Sequence, residues 1–163
     1  LLTAPARPHG RPVTEIQMAD LLREVRRRFD FCLLDAPAGL GRGFQLATCA
    51  ADRCVVVTTA DASSLRDAQH TVMELDRFPS GALHLVVNRV RKKLLRQLHA
   101  TIDDAIDKAG LPLLGVVPED DALPLCMNRG VPILLADGQS AATAYRNIAK
   151  RLQGERVPLL RIR

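Results

Sequence analysis

Three short apolar runs, separated by segments with helical periodicity, place the strongest constraint on the fold of this 163-residue chain. The runs are RCVVVTT (53–59), LHLVVN (83–88) and LLGVV (113–117). Each is apolar at consecutive positions, and therefore on both faces, which is typical of parallel strands buried between layers of helices. The alternation predicts an α/β fold with a mostly parallel sheet flanked by helices.

A fourth run, FCLL (31–34), ends at Asp35 and is followed by the glycine-rich segment 36–43. We expect another buried strand here, with Asp35 at its carboxyl end, where open α/β sheets bind ligands. Right-handed crossovers place all carboxyl ends at one edge, so Asp35 is expected to meet the other polar strand ends. Those ends are Thr58 with Thr59, Asn88 with Arg89, and Pro118 with Glu119 and Asp120. Polar residues are also common at strand ends that bind nothing, and only the coincidence of four favours a site.

Helix signals fill the intervals between the runs. The predicted helices are 14–28 behind a Thr14–Gln17 capping box, 44–51, 63–77 capped by Ser63 or Ser64, 101–110 between Thr101 and Gly110, and 140–154 between Ser140 and Gly154. Repeats and linkers are absent from the sequence, which predicts a single α/β domain over residues 1–163.

Composition excludes several classes of protein. Hydrophobic residues make up 47% and charged residues 25%, which is enough for a core and excludes general disorder. No apolar run approaches the roughly 20 residues that a membrane-spanning helix requires. The net charge of +5 permits an anionic partner without requiring one. The four cysteines form no C-x-x-C pair, and we expect reduced thiols, with Cys32 and Cys54 packed in core strands.

Five segments in order carry a family resemblance: DAPAGLGRGF, ADRCVVVTTADASSLRDAQ, VVNRVR, LLGVVPEDDALPLCMNRGVPILL and AYRNIAKRLQGERVPLL. Together they resemble the MinD branch of the MinD/ParA deviant-Walker P-loop ATPases over residues 13–160. The resemblance implies a P-loop NTPase fold, ATP and Mg²⁺ as cofactors, and a role in placing the bacterial division septum. It also implies that the full-length protein hydrolyses ATP.

The resemblance also implies roles for individual residues. Asp35 would be catalytic and would lie beside Mg²⁺, acting through water. The loop that senses the γ-phosphate would contain Pro37, Ala38, Gly39, Gly41 and Gly43. The base and ribose would be bordered by Asn88, Arg89, Pro118, Glu119 and Asp120. The partner-binding face would present Ser64, Arg66 and Asp67. The alternative interpretations are a turn former for Asn88 and a capped, solvated helix start for residues 63–69.

The phosphate-binding signature of the family, a glycine-rich loop with two lysines, does not occur in this sequence. None of the lysines (Lys92, Lys93, Lys108 and Lys150) follows a glycine. The chain is therefore expected to be the carboxyl-terminal portion of a MinD-like ATPase, incomplete at the amino terminus and inactive alone. The family topology further implies a missing central strand between residues 31–35 and 54–58, which would leave both segments with unpaired edges.

Implied partners are a second copy in an ATP-dependent homodimer, a septation inhibitor and the topological regulator of the Min system. Implied localisation is cytoplasmic and peripheral at the inner face of the cell membrane. However, VPLLRIR is too short for the family's amphipathic tail. Two alternatives remain: a flagellar-number regulator, and a ParA-like partition protein holding DNA through Arg89, Arg91, Lys92, Lys93 and Arg96. The match favours septum placement, and no specific nucleic acid is expected.

Overall fold

The computed structural model describes residues 12–79, 81–97, 101–135 and 140–160. The chain forms two compact units, Leu1–Asp52 and Arg53–Arg163. The assignment of residues 1–163 to a single domain stays a prediction.

The first unit contains two helices, α1 (Glu15–Arg26) and α2 (Arg42–Thr48). The capping box predicted at the start of α1 is confirmed: Thr14 Oγ1 accepts from Gln17 N–H at 3.2 Å, and Gln17 Oε1 accepts from Thr14 N–H at 3.0 Å. The helix ends two residues earlier than the predicted Arg28.

The strand predicted at residues 31–34 is wrong. Residues 31–37 form neither strand nor helix, and the side chains of Phe31 and Leu33 are 69% and 90% exposed. Cys32 is likewise exposed, so its assignment as a packed core thiol is wrong too. A strand needs a hydrogen-bonded neighbour for its backbone groups. The described residues of the first unit contain no strand to supply one, and apolar composition alone does not replace it.

The second unit contains a parallel three-stranded sheet in the order β1-β2-β3, which confirms the predicted sheet. Its strands are β1 (Cys54–Thr58), β2 (Leu83–Val90) and β3 (Leu113–Pro118). Its helices are α3 (Ala62–Met73), α4 (Lys92–Gln97), α5 (Ile102–Ala109), α6 (Ala122–Asn128) and α7 (Ser140–Leu152), with a 3₁₀ turn at Ile133–Leu135. The helices α3 and α5 pack on β1 and β2, and α7 packs on β3. Leu85 and Val87 of the central strand β2 are inaccessible to solvent, and β3 is buried at every position except Leu113.

Helix boundaries follow capping chemistry. The box between Thr101 and Asp104 starts α5, and Gly110 ends it in the left-handed conformation at φ 67°, as predicted. By contrast, α3 is capped by Asp61 rather than by a serine, and it ends at Met73 rather than at residue 77. The helix α4 was not predicted, because its basic sequence lacks an amphipathic period.

A β-bulge in β3 determines how α7 packs on the sheet. Leu85 of β2 pairs with Leu113, but the next residue, Val86, pairs with Gly115, so Leu114 is an extra residue in β3. A Cβ on Gly115 would lie 2.4 Å from Cγ1 of Ile148 on α7. Glycine is therefore required at this position for the close approach of helix and strand.

Candidate functional site

The carboxyl ends of β2 and β3 meet through an ion pair between Arg89 and Glu119. Arg89 Nε donates to Glu119 Oε2 and Arg89 NH2 donates to Glu119 Oε1, each at 3.2 Å. The Glu119 N–H donates to the carbonyl of Val90 at 3.1 Å, which extends the contact to the backbone. The predicted convergence of these two strand ends is thus observed within the second unit.

The backbone at this edge is held in an unusual conformation. Arg89 has φ 53°, in the left-handed region that residues other than glycine and asparagine rarely adopt. Asn88 Oδ1 accepts from the Arg89 N–H at 2.9 Å and fixes the turn. This is the turn-forming role that the sequence offered as the alternative for Asn88, but the two amide N–H donors of the same side chain are not used by that bond.

Glu119 partly offsets the positive charge at the edge. The hydrogen bond from Arg89 lowers the pKa of Glu119 below its usual value, and burial opposes this shift only in part. The same bond raises the pKa of Arg89. Arg91 NH2 also lies 3.4 Å from Glu119 Oε1, so one carboxylate compensates two arginines of the basic segment.

Asp120 has a structural role beyond the one implied by the resemblance. Its Oδ1 accepts from Ala122 N–H at 3.1 Å. Its Oδ2 accepts from Ala141 N–H at 3.1 Å and from the Ser140 hydroxyl at 3.3 Å. Asp120 therefore joins the beginnings of α6 and α7, and Pro118 beside it is buried. The edge is thus tied to α6 and α7 on the β3 side.

The carboxyl end of β1 carries a hydroxyl–carboxylate cluster that the sequence reasoning missed. Asp61 accepts from the Ser63 hydroxyl at 2.6 Å, from the Ser64 N–H at 3.0 Å and from the Thr59 hydroxyl. Led by the Ser63 hydroxyl, these bonds hold the pKa of Asp61 well below its usual range. The signal was present in the sequence, because aspartate is as strong an N-cap as serine and stands two residues before Ser63.

The predicted partner-binding residues lie at the start of α3. Arg66 and Asp67 are exposed. Ser64 is half-buried. Its hydroxyl lies 2.8 Å from the Thr59 hydroxyl, whose proton is given to Asp61, and its N–H belongs to the cap. The expectation that Ser64 is exposed was therefore wrong, and its first role is to hold the helix terminus.

In the first unit, Asp35 and residues 36–42 of the glycine-rich loop are exposed, and Gly43 is half-buried. Gly39 has φ 84°, a conformation that favours glycine, and Gly41 is the N-cap of α2. A Cβ on Gly43 would lie 2.5 Å from Cγ of Pro37. Ala38 between them is exposed as well. The roles of Asp35 in metal binding and of this loop as a switch stay predictions.

Mg²⁺ prefers oxygen ligands, which carboxylate side chains, phosphate and water supply. Among the described residues there is no group of three or more His, Cys, Asp or Glu side chains that could hold a metal ion. A lone carboxylate fits a Mg²⁺ ion that takes its remaining ligands from phosphate and water. Asp35 fits that limited role.

None of the helices that the structure describes has the length and hydropathy needed to cross a bilayer.

Comparison with known proteins gives a consistent result. The family model described as "Cellulose biosynthesis protein BcsQ" matches residues 7–152. The chain is 37% identical over 145 residues to the septum site-determining protein MinD of Bacillus subtilis, covering 88% of this chain and 54% of the relative. It is 33% identical over 147 residues to MinD of Synechocystis sp., covering 88% and 55%. The chain thus spans about half the length of these relatives.

Solved structures agree with the sequence relatives. The MinD cell division protein of Aquifex aeolicus superposes with a TM-score of 0.85 at 30% identity, over 91% of this chain and 64% of that one. The same score is found for the MinC:MinD complex of that organism, at 29% identity and over 92% and 63%. The chain belongs to the MinD/ParA family of deviant-Walker P-loop ATPases.

Proposed function

We propose that this chain is the base-binding part of a MinD-like, ATP-dependent regulator of septum placement. The observation that carries the proposal is the joined edge formed by Asn88, Arg89 and Glu119 at the carboxyl ends of two parallel strands. Ligands of open α/β sheets bind at this edge. The septum-site names of the relatives support the biological role.

The base end of the nucleotide would be recognised by side chains of β2. The Asn88 amide donors would face acceptor nitrogens on the adenine edge. The planar guanidinium of Arg89, steadied by Glu119, would stack on the base. The backbone of Pro118 and Asp120, beside the hydrogen bonds of Asp120 to α6 and α7, would border the ribose.

The phosphate end would depend on Asp35 and on protein sequence beyond these 163 residues. Mg²⁺, when bound, would neutralise charge on the phosphate oxygens. Asp35 would hold the water shell of the ion, and Gly39 would let the loop change conformation when the γ-phosphate is lost. The backbone N–H cradle and lysine contacts that supply most phosphate affinity would come from elsewhere.

The proposed partners are a second copy of the protein and a MinC-like septation inhibitor. The relative from Aquifex aeolicus was solved as a MinC:MinD complex. In this chain the exposed Arg66 and Asp67 on α3 would contribute to such a contact. Peripheral membrane association belongs to the same proposal.

Nucleotide titration of the full-length protein tests this function. Mg-ATP should bind, and Asn88→Ala should weaken binding by about tenfold, on the scale of one or two hydrogen bonds. Asn128→Ala, an exposed amide at the end of α6, is the matched control and should bind normally. Absence of ATP binding, or equal affinity in all three proteins, would overturn the proposal.

The DNA-partition alternative is less favoured by the charge arrangement. Glu119 pairs with both Arg89 and Arg91, so the basic segment presents less free charge than its sequence indicates. A gel-shift titration over increasing salt distinguishes the two. Specific partition binding would retain a DNA complex at physiological ionic strength, whereas septum regulation predicts none.

A further inference from the structure

The chain after α7 returns to the sheet as an extended segment, residues 155–160, here called the strap. Its carbonyl at Val157 accepts two hydrogen bonds from Arg151, at 2.8 Å from Nε and 2.5 Å from NH2. The strap lies beside β3 and α7, and the three line one small cavity. Arg151 therefore connects α7 to the strap.

The third donor of Arg151 reaches the β-bulge of β3. Arg151 NH1 donates to the Leu114 carbonyl at 2.8 Å. Leu114 is the extra residue between the pairs that contain Leu113 and Gly115. A bulge interrupts the ladder and leaves backbone groups without strand partners. One half-buried guanidinium thus satisfies the bulge and holds the strap at once.

Few other contacts hold the strap within the described part of the chain. Its backbone donates through Glu155 N–H to the carbonyl of Lys150 at 3.0 Å. Leu160 packs against the apolar cluster of Val86, Leu114 and Ala141, whereas Leu159 is 45% exposed. Segments with few buried contacts open locally at low cost.

We propose that Arg151 is the latch of a releasable strap, and that its release uncovers the apolar groove between β3 and α7. The groove contains Leu114, Val116, Ala144 and Ile148. In the closed state the strap's own Pro158, Leu159 and Leu160 line its remaining side.

Hydrogen exchange on the full-length protein tests the latch. In Arg151→Met, the amides of Val157, Leu159 and Leu160 should exchange at least tenfold faster than in wild type, because the strap loses its attachment at the Val157 carbonyl and opens to solvent. Lys150→Met, the neighbouring exposed cation on the same helix, should leave these rates unchanged. An apolar-binding fluorescent dye should gain several-fold intensity with Arg151→Met only.

A second variant distinguishes release of the strap from a general folding defect in Arg151→Met. Leu160→Ala keeps the latch but removes the apolar anchor, and it should accelerate the same amides by a smaller factor. The proposal is overturned if strap protection is equal in wild type and Arg151→Met. It is equally overturned if exchange rises uniformly across β2, β3 and the strap in both variants, since the strap would then be an integral part of the fold.

Discussion

Arg89 and Glu119 join the ends of two adjacent strands by a two-bond ion pair, and Arg89 does so from a left-handed backbone conformation. The conformation turns the chain at the end of β2 so that the side chain lies along the sheet edge toward β3. Residues with such backbone strain cluster at functional sites, where the surrounding structure enforces them. Here the Asn88 side chain and the Glu119 carboxylate are the enforcing groups.

The first prediction concerns the ionisation of Glu119. Its folded-state pKa lies below the ordinary value of 4.5, so the ion pair stabilises the edge at pH values above 4.5 and is lost as the pH falls through the lower folded-state pKa. Carboxyl NMR titration should give a midpoint below 4.5 in wild type and a higher midpoint in Arg89→Asn, since asparagine tolerates the left-handed backbone. A midpoint that Arg89→Asn leaves unchanged would show that Arg89 does not set it.

A second prediction concerns the cap of α3. Asp61→Ala should lower the free energy of unfolding by roughly 0.5–2 kcal/mol, because the Ser64 N–H loses its acceptor, while Asp61→Asn should retain most of the cap. Chemical denaturation of both variants measures the difference. Similar losses for Ala and Asn would mean that the charge, and not the cap geometry, matters.

The pH dependence of the same residue has a definite sign. Folding depresses the pKa of Asp61 below its usual 3.8, so its contribution to stability is complete above that value and declines as the pH falls further. Wild type should therefore lose more stability than Asp61→Asn between neutral pH and about pH 2. Thermal melting across that interval provides the measurement, and parallel curves for the two proteins would contradict the assignment.

Secondary structure was predicted correctly from the sequence wherever a local signal and a hydrogen-bonding partner were both present. The strands at 54–58, 83–90 and 113–118 were predicted within a few residues, as were the caps at Thr14 and Thr101. The run 31–34 has the same apolar composition but forms no strand, because strand formation is decided by a hydrogen-bonded neighbour.

Site residues show the same division between local and tertiary information. The proximity of the carboxyl ends of β2 and β3 could be predicted from the sequence, since parallel strands end at the same edge of a sheet. The pairing of Arg89 with Glu119, the helix-joining bonds of Asp120 and the cap by Asp61 depend on side-chain geometry that spacing does not specify.

A third prediction follows from the close approach of β3 and α7. Gly115→Ala places a Cβ 2.4 Å from Cγ1 of Ile148, and overpacking of this kind should lower the free energy of unfolding by roughly 1–3 kcal/mol. Adding Ile148→Ala removes the clashing atoms, so the double variant should be less destabilised than the sum of the two single changes. Strict additivity in denaturant titrations would contradict the packing argument.

A fourth prediction concerns Asp35 in the full-length protein. Asp35→Asn should abolish ATP hydrolysis or its coupling to partner release while leaving the fold intact, since the amide is isosteric but cannot act as an anionic partner of hydrated Mg²⁺. Partner-stimulated phosphate release measures the first effect, and circular dichroism the second. Asp30→Asn, an exposed aspartate in the same unit, is the matched control and should behave as wild type. An Asp35→Asn protein with the normal stimulated rate would remove Asp35 from the mechanism.

The last prediction concerns the edge strand β1 in the isolated chain. Within the described sheet β1 pairs with β2 alone, and its Val55 and Val57 side chains are 38% and 59% exposed. Edge strands with exposed apolar side chains associate with other chains, and lysine on such a strand suppresses association. We therefore expect the isolated chain to associate as its concentration rises, and Val57→Lys to reduce this association, as measured by sedimentation velocity. Met73→Lys, at an apolar position on α3 that is even more exposed, supplies the comparison. Because both variants add the same charge, a decrease confined to Val57→Lys identifies the edge as the cause, and equal decreases in both would attribute the effect to net charge instead.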